Sequence, residues 1–392
     1  CIENVSGRIV SDDKFVWSQG RFAWLMGHAA RLAEKGLLRV DPEGLLLRAR
    51  KTADFLIENA YLEDGSCAYL LSADGRKKEF LPGKGHAISY FADCFVILGL
   101  SEVARASGER SYLERALTGY RNLQERLARG DAPSEPYPLP PGCRAHARPM
   151  ILLNVAQELE RCLKEFGDPR QGELAADALG FMDEILGEFV RPDGLVQEVR
   201  CSGAGDTLLT RHITPGHAIE SMWFVIEQAF THGRSDAVAA ATEALQSSFD
   251  AGCDGEHGGI VRYLLVPEGG DGTAVPPTGE ADGPFEELIL TTWDSKIWWP
   301  HSEALYGALL AHLVTGEQAF REIHDRTFEY SFSTFPHPDP GVGEWIQIRD
   351  RQGRPSGKVV GLPVKDPYHL MRNLLLLVEL LFGGVTARTS EA

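Results

Sequence analysis

The sequence predicts an all-α protein in which antiparallel helix pairs close into a toroid, with short β-hairpins in the loops at one end. Two recurring links carry this prediction. Tight glycine–polar turns (Gly108-Glu109, Gly167-Asp168, Gly233-Arg234 and Gly316-Glu317) return at intervals of roughly 60 to 80 residues, each between two helical patterns. The other links are longer and β-prone around glycines: residues 64–76 (DGSCAYLLSADGR), 192–199 (PDGLVQEV), 257–270 (HGGIVRYLLVPEGG) and 343–355 (GEWIQIRDRQGRP). An open tetratricopeptide-like solenoid would show a stricter, shorter period and plainer loops. About six helix pairs decorated at one end suit a closed α/α toroid with a central cleft. The proline-rich segment 132–149 reads as a loop between helices, so residues 1–392 are expected to form one domain.

Taken in order, residues 11–35 form the first helix, with Phe22, Leu25, Met26, Ala29 and Leu32 on its core stripe. Trp17, Arg21, Trp24 and His28 follow the spacing of a different face. A guanidinium between two indoles is either a self-satisfied cation–π cluster or a platform for a sugar. Further helical patterns cover about 44–60, 88–107, 111–128, 148–166, 171–189, 215–232, 235–250, 301–314, 317–333 and 367–383.

The stretch TPGHAIESMWFVIEQ (214–228) carries every helix start signal, with Thr214 as N-cap and Pro215 at the first helical position. Ile219, Met222, Trp223, Ile226 and Phe230 share its core stripe, while His217, Glu220, Ser221 and Gln228 look the other way. Facing bulk water, these would be ordinary surface residues. A second stretch repeats the design: Asp366-Pro367-Tyr368-His369 precedes another apolar helix, with Arg372 on the face of His369. A third, Lys296 to Ala304 (KIWWPHSEA), again places a proline before a histidine. Its adjacent indoles point to different sides, so one of Trp298 and Trp299 can line a cavity while the other packs. Lys296, Trp299, His301 and Glu303 are therefore candidate substrate contacts. Arg372 either holds a substrate oxygen or caps an acidic neighbour.

Bulk properties narrow the class. The composition, 43% hydrophobic and 24% charged, is that of a globular protein, and the formal charge of −17 argues against nucleic acid or anionic membrane as partner. No apolar run has the length of a membrane span. Seven cysteines without CxxC pairs favour reduced thiols and a cytoplasmic location, and Cys1 in place of Met suggests a trimmed or renumbered start. No HExxH motif is present and His212 and His217 have the wrong helical relation for joint ligation, so no metal is expected. Phosphate-binding glycine loops and the GxSxG elbow are missing, so no nucleotide cofactor and no seryl nucleophile are expected. Asp93, Glu220 and Glu303 leave glycoside hydrolysis open as an alternative, beside a non-catalytic helical scaffold.

These residues resemble the N-acylglucosamine 2-epimerase family over nearly the whole chain. The matching stretches are WSQGRFAW (17–24), ADCF (92–95), PMILLN (149–154), PGHAIESMWF (215–224), KIWWPHSEA (296–304), GEWIQIRDRQG (343–353) and VKDPYHLMRNL (364–374). The resemblance implies an (α/α)6 barrel and inversion at C2 of a reducing sugar of the N-acyl-D-glucosamine/N-acyl-D-mannosamine type, without a cofactor. It implies His217, with Glu220, and His369 as the acid/base pair, and Arg21 as the residue that meets the substrate near C1 and C2. Trp17 and Trp24 would contact the sugar. Asn154 stands where the isomerase and cellobiose-epimerase branches tend to carry histidine, which favours an epimerase over an aldose–ketose isomerase. The resemblance does not fix the sugar, and a cellobiose or mannose 2-epimerase stays open beside the isomerase as the alternative. The C-terminal motif departs from the family's usual K-G-x-F-H-x-P-R. A homodimer is compatible with the sequence.

The chemistry needs a base near neutral pKa and a stabilised enolate. A histidine at a helix N-terminus suits this, since the helix dipole disfavours imidazolium by typically ~0.3–1 kcal/mol. Two bases on opposite faces of one planar enediolate give inversion without moving the sugar.

Overall fold

A computed structural model describes residues 3, 5–6, 8–202, 207–267, 273–356 and 366–385. Cys1, the 268–270 end of the third β-prone link and the Val364-Lys365 start of the C-terminal motif lie outside them. Among the described residues the chain forms helices α1 (Val16–Glu34), α2 (Pro42–Asn59), α3 (Phe91–Ser107), α4 (Arg110–Arg129), α5 (Ala147–Glu165), α6 (Gln171–Glu184), α7 (Leu208–Arg211), α8 (Pro215–Thr231), α9 (Ser235–Gly252), α10 (Pro284–Thr292), α11 (Trp298–Thr315), α12 (Gln318–Thr334) and α13 (Tyr368–Gly383). A π-helical turn, Ile185–Phe189, continues α6.

Each β-prone link contains a short strand. The strands among the described residues are, in order, β1 (Lys14–Phe15), β2 (Leu70–Leu71), β3 (Lys77–Lys78), β4 (Cys143–Ala145), β5 (Val199–Cys201), β6 (His212–Ile213), β7 (Leu264–Leu265), β8 (Lys296–Ile297) and β9 (Ile348–Arg349), of which β2, β5, β7 and β9 belong to the β-prone links. All pair antiparallel, as β1-β2-β3, β4-β5, β6-β7 and β8-β9. Four strands lead directly or nearly so into a helix that carries a candidate residue: β1 into α1, β4 into α5, β6 into α8 and β8 into α11.

The chain divides into two compact units. The first comprises Ile9–Pro138 and Ile151–Gly180. Here α1 packs on α2 and α3, and α3 on α4. Gly20 and Gly99 permit the α1–α3 approach, since a Cβ on Gly20 would fall on the Phe95 carbonyl and one on Gly99 would come within 2.6 Å of the Gly20 oxygen. Glu102, fully buried on α3, is held by Arg31, Arg105 and His28. These guanidinium charges outweigh its desolvation and hold its carboxyl far below the usual carboxylate range.

The second unit comprises Ile2–Arg8, Leu139–Met150 and Phe181–Ala392. In it α8 packs on α9 and α11, and α11 also packs on α12 and α13. The core stripe expected for α8 is present in Ile219, Met222, Trp223 and Ile226, whereas Phe230 is 38% exposed near the helix end. Behind the half-buried His217, the opposite face of α8 does not meet bulk water: Glu220, Ser221 and Gln228 are all buried. That polar face is turned inward, and burial on this scale requires partners.

The cysteines correct one expectation. Cys143 and Cys201 are register partners across β4 and β5, with Cα atoms 4.0 Å apart, and form a disulfide. Cys67, Cys94, Cys162 and Cys253 are free thiols. No helix among the described residues is long and apolar enough to cross a membrane.

Candidate active site

Three helix starts in the second unit bring two histidines to one indole. His217 is the third residue of α8, His369 the second of α13 and Trp299 the second of α11. The ring of Trp299 lies 5.0 Å from that of His217 and 5.6 Å from that of His369, between centroids. The neighbouring indole, Trp298, instead packs with Ile297, Phe335 and Trp345. Gly216 allows the close approach. A Cβ there would lie 2.7 Å from the Trp299 ring and 2.8 Å from Pro300.

Each histidine is held through Nδ1 by its own carboxylate. His369 Nδ1 lies 2.7 Å from Glu303 Oε1, and His217 Nδ1 lies 3.2 and 3.3 Å from the two oxygens of Glu198. An ionised carboxylate only accepts, so Nδ1 carries the proton and Nε2 is the basic atom of each neutral ring.

Glu303 is fully buried, and both of its oxygens accept hydrogen bonds. Its Oε1 also accepts from Arg372 at 2.6 Å and Asn373 at 2.8 Å, and its Oε2 accepts from Trp223 Nε1 at 2.8 Å. The same Arg372 nitrogen donates to Glu220 Oε1 at 2.6 Å. Burial disfavours the guanidinium charge, but the two carboxylates outweigh it and raise the Arg372 pKa further. Glu220, Glu303 and His369 offer ligand atoms within 4.8 Å of one another, a spacing that suits a metal ion, and the guanidinium of Arg372 already bridges the two carboxylates.

The environment of His217 differs from expectation. Its side chain is 34% exposed. Burial pulls its pKa down, but the Glu198 carboxylate overrides this by charge and hydrogen bond, with a smaller push from Glu220, so the net shift is upward. The weak helix dipole does not decide the matter. Thr214 precedes the helix as expected, yet its side chain makes no cap hydrogen bond.

The remaining predicted residues separate into two groups. Lys296 and His301 belong to the scaffold of the second unit. Lys296 is fully buried against Asp254 (3.1 Å), which also takes Arg351. His301 bonds the Ile297 carbonyl through Nδ1 and accepts from the Ile260 N–H through Nε2, so neither ring nitrogen is left for a sugar. Burial, with the Lys296 charge nearby, lowers its pKa to about 3. Arg372 caps acidic neighbours, the second of the two roles its position suggested.

In the first unit, Arg21 lies over the rings of Trp17 (4.8 Å) and Phe95 (4.0 Å). Trp24 is core: it is 2% exposed, stacks on His28 and donates to Glu158 at 3.3 Å. Asn154 is buried on α5. Asp93, one of the three carboxylates that left glycoside hydrolysis open, is structural. It is buried and accepts from Cys67 N–H (2.9 Å) and Arg126 (3.2 Å).

Sequence reasoning missed Glu198 and His146. His146 follows β4 and Glu198 precedes β5, so the strand pair aligns them: the His146 N–H donates to the Glu198 carbonyl at 2.9 Å. A mirrored spacing, Cys143-x-x-His146 against Glu198-x-x-Cys201, was the available signal.

Comparison with known proteins gives the fold and the family. Solved structures share the fold over 96% of the chain. They include a sugar epimerase from a ruminal bacterium (TM-score 0.74, 17% identity, 90% of that chain) and the cellobiose 2-epimerase of Bacillus thermoamylovorans (TM-score 0.73, 17% identity, 91% of that chain). The fold is therefore the (α/α)6 barrel that the helix pairs predicted. The family model of N-acylglucosamine 2-epimerase (GlcNAc 2-epimerase) matches residues 3–373, and the chain belongs to that family. It is thus a sugar 2-epimerase, of the isomerase class. The N-acylglucosamine 2-epimerase of Bos taurus is 29% identical over 388 residues, covering 96% of this chain and 83% of the bovine protein.

Proposed function

We propose that this protein interconverts N-acyl-D-glucosamine and N-acyl-D-mannosamine, with His217 and His369 as the two acid/base groups. The observation that carries the reading is the shared indole: two histidines, each with Nδ1 on a separate carboxylate, flank Trp299. In the open-chain aldehyde, Nε2 of one neutral histidine removes the C2 proton, and the C2–H electron pair moves into an enolate with charge on the former carbonyl oxygen. The protonated partner returns a proton to C2 on the other face. The two imidazoles exchange protonation states in each turnover, and no redox change occurs. Trp299 offers an apolar surface for the C–H face of the chain. Glu303 fixes the tautomer of His369, and Arg372 neutralises the carboxylates around it. The choice of an N-acyl sugar is supported by the relatives' names and by Asn154. The role given to Arg21 is supported by its motif, and a single catalytic domain by a family match that runs through both units.

The test is NMR of N-acetylglucosamine and N-acetylmannosamine with the protein in D2O. Deuterium should enter C2 and the other epimer should accumulate. In His369→Asn one epimer should still exchange its C2 proton while net epimerisation is lost, and His217→Asn should exchange the other. A general base typically supplies ~10²–10⁴-fold, so the contrast is measurable. Equal exchange of both epimers in either variant refutes the two-base mechanism. With mannose or glucose, whose C2 carries a hydroxyl, in place of the N-acetyl sugars, formation of a ketose identifies an aldose–ketose isomerase instead.

A further inference from the structure

The structure assigns Glu198 as the positioning residue of His217, with His146 holding Glu198 in turn. This rests on the two-histidine reading and deepens it. Sequence spacing paired His217 with Glu220, three residues on, but Glu220 is claimed by Arg372 at 2.6 Å. The carboxylate in contact with His217 comes from the end of β5, nineteen residues earlier in the chain.

The surroundings of Glu198 explain why it can do this. It is buried, and His217 lies within hydrogen-bond reach of both its oxygens. On its other side His146 is fully buried. Its Nε2 is 2.9 Å from Ser221 Oγ on α8, and its Nδ1 is 3.7 Å from Glu198 Oε1 without a hydrogen-bond partner of its own. The imidazoles of His217 and His146 lie against the Glu198 carboxylate, as the Arg372 guanidinium lies against Glu303. The Glu198 charge is therefore available to stabilise an imidazolium on His217. The strand pair holds the dyad from below, since the disulfide joins β4 and β5 three residues from each member.

The other groups acting on His217 do not substitute for Glu198. Glu220 on α8 favours the imidazolium less strongly, and Arg262 opposes it. His212 also lies near enough to feel the His217 charge, and its own pKa is lowered chiefly by burial. Across Trp299, His369 has its own carboxylates, Glu303 and Glu220.

The signs follow. Glu198→Gln keeps an acceptor for Nδ1–H but removes the charge, so the His217 pKa must fall. In the direction where His217 is the base, the acid limb of kcat/KM moves to lower pH. In the direction where it is the acid, the basic limb does the same. A purely structural role would lower activity without moving either limb.

The experiment uses the full chain labelled with ¹³C,¹⁵N-histidine, with the His217 signals assigned by their loss in His217→Asn. In the wild type the ¹⁵N shifts should report the Nδ1–H tautomer and a titration above that of free histidine. An Nε2–H tautomer, or a midpoint at or below free histidine, overturns the proposal without any variant. In Glu198→Gln the midpoint should fall and kcat for N-acetylmannosamine should drop roughly 10- to 100-fold with KM little changed. Glu198→Asp, which keeps the charge, should retain a higher midpoint than the Gln variant and serves if that variant does not fold. An unchanged His217 titration in a folded Gln variant also overturns the proposal. Because the titration needs no substrate, a wild type inactive on both N-acetyl sugars would refute the proposed function and leave the Glu198 result standing.

Discussion

Arg372 is the cation on which the His369 half of the site depends, and replacing it with methionine should show this in two ways. One guanidinium nitrogen lies 2.6 Å from both Glu220 Oε1 and Glu303 Oε1, and the side chain is buried against Trp223, Phe224 and Tyr368. Methionine fills much of the stem's volume but leaves two buried carboxylates facing each other. Removing one partner of a buried ion pair costs about 3–5 kcal/mol, because the stranded charge cannot be solvated. With an unfolding entropy of about 2.1 cal/mol/K per residue, cooperative unfolding of this chain would place Tm roughly 4–6 °C lower. The loss of positive charge beside His369 also favours its imidazolium, so the acid limb of kcat/KM in the direction where His369 is the base should move to higher pH. Arg372→Met combined with Glu220→Gln removes one cation and one anion together and should recover most of the lost stability, a coupling that a double-mutant cycle measures. Differential scanning calorimetry and a pH–rate profile suffice. If Arg372→Met melts with the wild type and keeps its pH limb, Arg372 is not the neutralising group.

Three further outcomes follow from the geometry. Gly216→Ala introduces a Cβ 2.7 Å from Trp299 and 2.8 Å from Pro300. It should displace His217 and lower kcat by roughly 10²-fold, as misplacements near 1 Å do, with the fold intact by circular dichroism. His301 has its pKa lowered to about 3 by burial. The unfolded chain therefore binds a proton near the ordinary value of about 6.5 that the folded chain refuses until about pH 3. Stability is lost as pH falls through this window, by up to roughly 5 kcal/mol at 1.36 kcal/mol per unit. Urea unfolding at pH 7 and pH 4 should show a smaller pH effect in His301→Gln than in the wild type. Reduction of Cys143–Cys201, which closes a separation of 58 residues, should cost about 4 kcal/mol on loop entropy. Its signature is a dithiothreitol-sensitive Tm that becomes insensitive in Cys201→Ser.

Local signals in the sequence carried most of the helical architecture. The helices with clear amphipathic stripes fall within a few residues of where periodicity placed them, and each β-prone link holds a strand. The two short helices, α7 and α10, were not legible. With four and nine residues they are too short for a stripe to stand out. For the same local reason, His217 and His369 were readable: each follows a proline at a helix start. Partners were not readable wherever tertiary contacts overrode spacing. Glu220 lies three residues from His217 but turns to Arg372, and Glu198 reaches His217 from a strand in a different link. Lys296 and His301 carried the residue types of a site, yet burial committed both to scaffold bonds.

The arrangement around Trp299 also bears on why the proposed reaction goes through the substrate. Epimerisation requires one neutral and one protonated histidine in either direction, so the pair functions with a single proton between them. Two imidazoles bridged by a common carboxylate could pass that proton directly and erase the distinction between acid and base. Here the rings are joined to different carboxylates, Glu198 and Glu303, and both border an indole that offers no path for a proton along its face. A sugar carbon is then the group through which the proton balance of the two sides is exchanged. The pH profile of such a pair is a bell whose limbs belong to both histidines together: at low pH both are protonated and no base remains, and at high pH both are neutral and no acid remains. Single substitutions at Glu198 and at Arg372 should displace this bell in opposite directions. Glu198→Gln removes negative charge beside His217 and Arg372→Met removes positive charge beside His369, so the limb that moves in a given reaction direction tells which histidine each residue serves.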